Sequence, residues 1–172
     1  MSLLAESLVE EWLNRKSFFT IRGIKHGIGE LDLLGIRREP SGSITGWHVE
    51  VQASFRPIGY ITKSAELGYV KPRTQQQVEV CVRDWVGKKF RAKEKAQVRE
   101  RLWPDINWEF HLVHAVSKHP EELVVFQQES VQCHPFSKLL DELTCPAERT
   151  YSGSAGGDLA EIIGYYKSEK GN

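Results

Sequence analysis

Apolar and polar positions alternate with period two over Trp47–Ser54: Trp47, Val49, Val51 and Ala53 are apolar or small, and His48, Glu50, Gln52 and Ser54 are polar. That period belongs to a strand with one buried face. Glu30–Ile36 shows the same habit, with Leu31 and Leu33 on one face and Glu30 and Asp32 on the other. Pro40, Ser41, Gly42 and Ser43 between the two stretches supply turn chemistry. An antiparallel hairpin centred near Ser41 sets Asp32 directly opposite Glu50, and Glu30 opposite Gln52. Like charges facing each other across a hairpin destabilise it, so the pair either stays solvated or shares a cation. The shared cation is the expectation here.

Helical periods surround this hairpin. Leu4, Leu8 and Trp12 recur every fourth residue, widened by Leu3, Val9 and Leu13, and predict a helix over 3–15. Glu6 and Glu10 lie one turn apart on its flank. Phe18–Ile21 is a short strand-forming run. Gly23, Gly27 and Gly29 follow closely, but no Gly-Lys-Ser/Thr comes after them, so they read as a bend into the next strand rather than a phosphate loop. Thr74 and Gln77 make a capping-box pattern ahead of the stripe Val78, Cys81, Val82, Trp85 and Val86, with Gly87 as a stop. Alternation resumes over Trp108–Val116, and Leu123–Phe126 predicts a further strand of the same sheet. Pro135–Leu143 predicts a helix on the stripe Phe136, Leu139, Leu140 and Leu143. The order is that of an α/β protein with a mixed central sheet flanked by helices. One domain is expected over 1–145, a linker over 146–157, and a C-terminal helix and tail over 158–172. In that last helix Leu159, Ile162, Ile163 and Tyr166 dock back or onto a partner.

A chain of 172 residues, 40% of them hydrophobic, can bury a real core. Its 23 basic and 23 acidic side chains cancel, so any nucleic-acid surface must come from local clustering. The densest basic stretch is 88–103, with Lys88, Lys89, Arg91, Lys93, Lys95, Arg99 and Arg101. It either follows a phosphate backbone or forms a solvated helix of mixed charge. No apolar run approaches the ~18 residues of a membrane span. Met1–Glu6 lacks the basic start of a signal peptide, and the sparse set Cys81, Cys133 and Cys145 suits a reducing compartment, so a cytoplasmic protein is expected. Cys133, His134 and Cys145 match no standard zinc spacing. His111, His114 and His119 fall on two strand faces and a turn, and read as structural. Residues 55–73 are rich in Gly, Pro, Tyr and basic side chains. They are expected as a loop that covers the carboxylate pair or contacts substrate, with a helical turn near 62–67.

Glu30-Leu31-Asp32-Leu33-Leu34 followed by Val49-Glu50-Val51-Gln52, in the order helix, strand, strand with Asp, turn, strand with Glu-x-Gln, helix, resembles the PD-(D/E)xK nuclease superfamily. The likeness is greatest to its small resolvase-like branch, and it covers residues 5–90. It implies a restriction-endonuclease-like fold and a metal-dependent DNA endonuclease of resolvase, restriction or defence type, with Mg²⁺ or Mn²⁺ as cofactor. Carried over by position, Asp32 and Glu50 ligate the metal and the Val51 carbonyl completes the protein's share. Glu6, with Glu10 as its competitor, is the helical glutamate. Gln52 stands where the family usually has Lys. It can position water but cannot act as a general base, and Lys25 and Lys63 are the candidates for a relocated positive charge. Asp32, Glu50 and Gln52 are therefore the expected catalytic residues. Arg56, Lys71, Arg73, Lys88, Lys89 and Arg91 are the expected phosphate contacts. His48, on the polar face beside Glu50, either touches substrate or is a half-exposed strand residue. DNA is the expected partner, beside a second copy of the chain or another subunit. The Gln at the Lys position, the neutral charge and the terminal helix support an alternative: a nuclease-fold protein that binds nucleic acid or a partner protein without cutting.

Overall fold

The two alternating stretches become adjacent strands, β2 (Gly29–Arg38) and β3 (Ile44–Gln52), paired antiparallel with Leu33 opposite Val49 and Leu34 opposite His48. This is the register of a hairpin centred on Ser41; the ladder ends at Leu33–Val49, and beyond it Asp32 meets β3 through its side chain, which accepts the Val51 N–H. The computed structural model describes residues 2–26, 29–54, 59–69, 71–115, 117–145 and 154–170. β1 (Phe19–His26) joins the outer edge of β2 antiparallel. β4 (Trp108–His114) and β5 (Val131–Pro135) continue from β3 in parallel, completing a five-stranded mixed sheet in the order β1-β2-β3-β4-β5.

Parallel neighbours require crossovers, and these carry helices. Between β3 and β4 run α2 (Gln75–Val86), a single π-helical turn (Gly87–Arg91) and α3 (Lys93–Leu102). Between β4 and β5 runs α4 (Pro120–Gln128). The Thr74–Gln77 capping box forms as its spacing predicts. α1 (Ser2–Arg15), α5 (Phe136–Leu143) and α6 (Ala155–Lys170) complete the chain. On one face of the sheet, Leu8, Val9, Trp12 and Leu13 of α1 pack with Leu139, Leu143 and Ala160 against Leu33, Val49, Val51 and Val113. On the other, Val78, Val82 and Val86 of α2 join Phe90, Val125 and Phe126 against Leu112 and Val131. The alternation of β3 thus sends Val49 and Val51 into the first layer and turns His48 and Glu50 toward the second.

Three expectations are corrected. Leu123–Phe126 lies inside α4 rather than in a strand; four apolar residues in a row carry no period, and Pro120 with Glu121 and Glu122 makes a favourable helix start. Leu31 and Leu33 do not share a layer, since Leu31 packs with Leu34 and with Val98 of α3. The ladder to β1 passes from Arg22–Leu33 to Ile24–Leu31 around Gly23, whose φ of 67° is open to glycine without steric cost. Residues 155–157, expected as the end of a linker, form the first turn of α6. Gly156 lies so close to α1 that an added Cβ would stand 2.1 Å from the carbonyl oxygen of Ser7. Leu159 and Ile163 dock back on the core, whereas Ile162 and Tyr166 are exposed. Among the described residues no helix is long and apolar enough to cross a membrane.

Candidate active site

Glu50 sits on the helix-covered face of β3 with 1% of its surface exposed. A carboxylate so placed pays a desolvation penalty of several kcal/mol unless it is paired, on the order of magnitude known for buried ions. Lys95 Nζ donates to Oε1 at 2.6 Å, His48 Nε2 lies 3.2 Å from the same oxygen, and Lys89 Nζ donates to Oε2 at 2.6 Å. Burial alone would raise the Glu50 carboxyl; the His48 hydrogen bond and the two ammonium groups outweigh it and hold the pKa at about 2.

Lys89 and Lys95 are six residues apart and, on one continuous α-helix, would point roughly 120° away from each other. They converge because Lys89 lies in the π turn and Lys95 in α3, with Ala92 between them in an extended conformation (φ −57°, ψ 136°). A reading of 88–103 as one run of charge therefore misses the pair. The interruption at Ala92 is not signalled by any Pro or Gly after Gly87.

His48 is fully buried, contrary to either surface role expected of it. Arg99 Nη1 lies 3.0 Å from His48 Nδ1. Arginine only donates, so Nδ1 accepts and the neutral ring carries its proton on Nε2, directed at Glu50. Burial pushes the His48 pKa down to about 4, which keeps the ring neutral at pH 7.

Asp32, on β2, accepts the main-chain N–H of Val51 at Oδ2, 2.8 Å away. Burial and then the neighbouring Glu50 charge push its pKa up to about 7, with the Val51 hydrogen bond and Lys89 pulling the other way and Glu6 adding to the rise. Of the two glutamates on α1, Glu6 is the one whose charge acts on Asp32. Glu10 is engaged by Arg22 at 3.3 Å and by Thr20 Oγ1 at 3.5 Å. A lysine ammonium stands beside the pair: Lys89 bonds Glu50 Oε2, and its charge also acts on Asp32. Although burial lowers the pKa of Lys89, Glu50, Asp32 and Glu30 together raise it. Gln52 lies half-buried two residues past Glu50, beside His114 of β4, and its main-chain carbonyl accepts from the Ala115 N–H at 3.4 Å. The ammonium groups at Glu50 belong to Lys89 and Lys95, whereas Lys25 and Lys63 are exposed.

The expected phosphate contacts separate into groups. Lys71 is exposed, and Lys88 is a surface side chain paired with Asp84 at 2.6 Å. Arg91 is tied to Glu129 through Oε2 and the carbonyl oxygen, each at 2.7 Å. Lys89 belongs to the site itself. Arg56 lies outside the described residues. Arg73 is corrected: its side chain is 0% exposed and binds Thr62 Oγ1 at 2.9 Å, the Thr62 carbonyl at 2.7 Å and the Gly68 carbonyl at 2.6 Å. It also lies 4.0 Å above the Tyr60 ring and 3.9 Å from Glu122 of α4, whose carboxylate accepts the N–H groups of Ile61 and Thr62. The loop is fastened to α4 by this network, and Ser64 and Gly68 close a turn with paired hydrogen bonds of 3.0 Å in place of the expected helical turn.

No family model, curated protein or solved structure matches the chain.

Among the described residues, no group of three or more His, Cys, Asp or Glu side chains is gathered to hold a metal ion. A Mg²⁺-like ion does not need such a cage, because it keeps several waters and takes one or two carboxylates. The hard oxygens of Asp32 and Glu50 fit that chemistry.

Proposed function

We propose that the protein is a metal-dependent nuclease that hydrolyses phosphodiester bonds in DNA, built on a restriction-endonuclease-like sheet. The observation that supports this reading is the Asp32–Glu50 pair across β2 and β3 with a lysine ammonium brought to it from the following helical segment. Asp32, Glu50, the Val51 carbonyl and Glu6 would hold a Mg²⁺ or Mn²⁺ ion, which would supply an activated water and charge for the leaving oxygen. Asp32 is oriented by the Val51 N–H, which occupies Oδ2 and leaves Oδ1 for the cation. Lys89 carries the positive charge that Gln52 lacks and stabilises the charge developing on the scissile phosphate. Gln52 orients water by hydrogen bonding. Lys71 and Lys88 meet phosphates farther along the strand.

The test is incubation of wild type, Asp32→Asn and Lys89→Ala with duplex, branched and single-stranded DNA in Mg²⁺, Mn²⁺ or EDTA. Wild type is expected to cut in a metal-dependent way, and each variant to lose about a hundredfold or more of the rate. A folded wild type that cuts no substrate with either metal sinks this reading. One observation favours the non-cutting alternative: Glu50 already faces two ammonium groups, so its charge is matched within the chain. DNA binding without cleavage, unchanged in Asp32→Asn, would select it.

A further inference from the structure

The two oxygens of Glu50 are served from different directions. Oε1 is enclosed by Lys95, 5% exposed, at 2.6 Å and by the fully buried His48 at 3.2 Å. Oε2 meets Lys89, whose side chain is 36% exposed, at 2.6 Å. Behind Oε1 stands a second tier. Arg99 Nη1 reaches both His48 Nδ1 at 3.0 Å and the Phe90 carbonyl at 2.9 Å, so the main chain of the π turn fixes the guanidinium and the guanidinium fixes the ring. Phe90 meets the His48 ring edge-on at 4.8 Å and prevents it from turning away.

We propose that Glu50 is a split carboxylate: Oε1 is held permanently by Lys95 and the Arg99–His48 relay, while Oε2 is an exchangeable position that Lys89 covers until a divalent cation takes it. The asymmetry follows from solvation. Lys89 can swing its ammonium back into water on a flexible stem. Withdrawal of Lys95 would strand a buried charge, so it stays and keeps Glu50 ionised after Lys89 has left. The terminal torsion of a glutamate is broad, and two donors on Oε1 set its plane, which aims Oε2. Arg99 and His48 are thereby positioning residues. The identity of the occupant rests on the nuclease reading above; the division of the carboxylate and the relay do not.

The test uses the full chain without DNA and Mn²⁺ alone as probe, with affinity read by calorimetry. Lys89→Gln is expected to bind Mn²⁺ about fivefold more tightly than wild type, the worth of one partly exposed ion pair. His48→Leu should bind about ten- to a hundredfold more weakly, as removal of an orienting partner does. His48→Gln, which keeps one acceptor and one donor, should stay within about twofold of wild type. Independently, ¹⁵N NMR of the wild-type His48 ring at pH 7 should show the Nε2–H tautomer, and Arg99→Met should lose that preference. Equal or weaker binding by Lys89→Gln overturns the exchangeable oxygen. Indistinguishable His48→Leu and His48→Gln, or an Nδ1–H tautomer in wild type, overturns the relay. If no variant binds Mn²⁺, the metal reading and the exchangeable oxygen fall together, and the tautomer still decides the relay. Amide spectra of each variant establish that it is folded.

Discussion

The main-chain N–H of Val51 donates to Asp32 Oδ2 at 2.8 Å, so the strand that carries Glu50 also holds the carboxylate facing it. One hydrogen bond ties the two acids into a single unit and leaves Asp32 poorly compensated, which has consequences for stability as well as for chemistry.

Burial, and then the charge of Glu50, raise the Asp32 carboxyl from 3.8 to about 7. Between about pH 4 and 7 the unfolded chain has shed this proton and the folded protein keeps it, so its contribution to stability is present below pH 4 and is lost as pH rises through 7. Asp32→Asn keeps an acceptor for Val51 and removes the charge. Its stability is expected to match wild type near pH 4 and to exceed it by about 1–3 kcal/mol at pH 8, read by urea denaturation. A difference that does not grow across this window contradicts the assignment.

Glu50 has the opposite sign. Although burial opposes it, His48, Lys89 and Lys95 hold the pKa at about 2, so the contribution is present above the unfolded value and is lost as pH falls toward 2. Glu50→Gln leaves Lys95 buried without a counter-charge and is expected to cost about 3–5 kcal/mol at pH 7. The penalty should shrink when the same unfolding experiment is run at pH 3.

Arg73 and Glu122 fasten the 59–69 loop from inside. Arg73→Met is expected to destabilise the protein by about 3 kcal/mol or more, because Glu122 stays buried without its cation. Lys88→Ala, at an exposed pair, should change stability by no more than about 0.5 kcal/mol. Thermal unfolding of the two variants side by side separates a buried staple from a surface charge.

Gly156 has no room for a methyl group against Ser7 of α1. Gly156→Ala is expected to push α6 off α1 at a cost of about 1–3 kcal/mol. Faster amide hydrogen exchange in α6 than in β3 would mark the local loss, and unchanged exchange in α6 would show that the contact is not tight.

Patterns confined to neighbours in sequence were legible. The period of two in β3, the turn residues at 40–43 and the hairpin register follow from local geometry, because a strand's faces and a hairpin's centre are both set within some twenty residues. The Thr74–Gln77 box and the stripes of α1, α2 and α5 were legible for the same reason. The run at 123–126 was not, since without periodicity the apolar residues fit helix or strand equally.

Within the candidate site, the amino-acid sequence by itself determined that two carboxylates, Asp32 and Glu50, meet across one hairpin. Which charges answer them was decided only by tertiary structure. Lys89 and Lys95 reach Glu50 because the chain breaks at Ala92 and folds back over the sheet, and Arg99 reaches it only through His48. Arg73, read as a phosphate contact, is taken inward by Glu122 and Thr62, partners on distant segments. A charged side chain carries no mark in the sequence of where it will be desolvated. Burial sets the strength of each pairing, and burial exists only once the layers have closed.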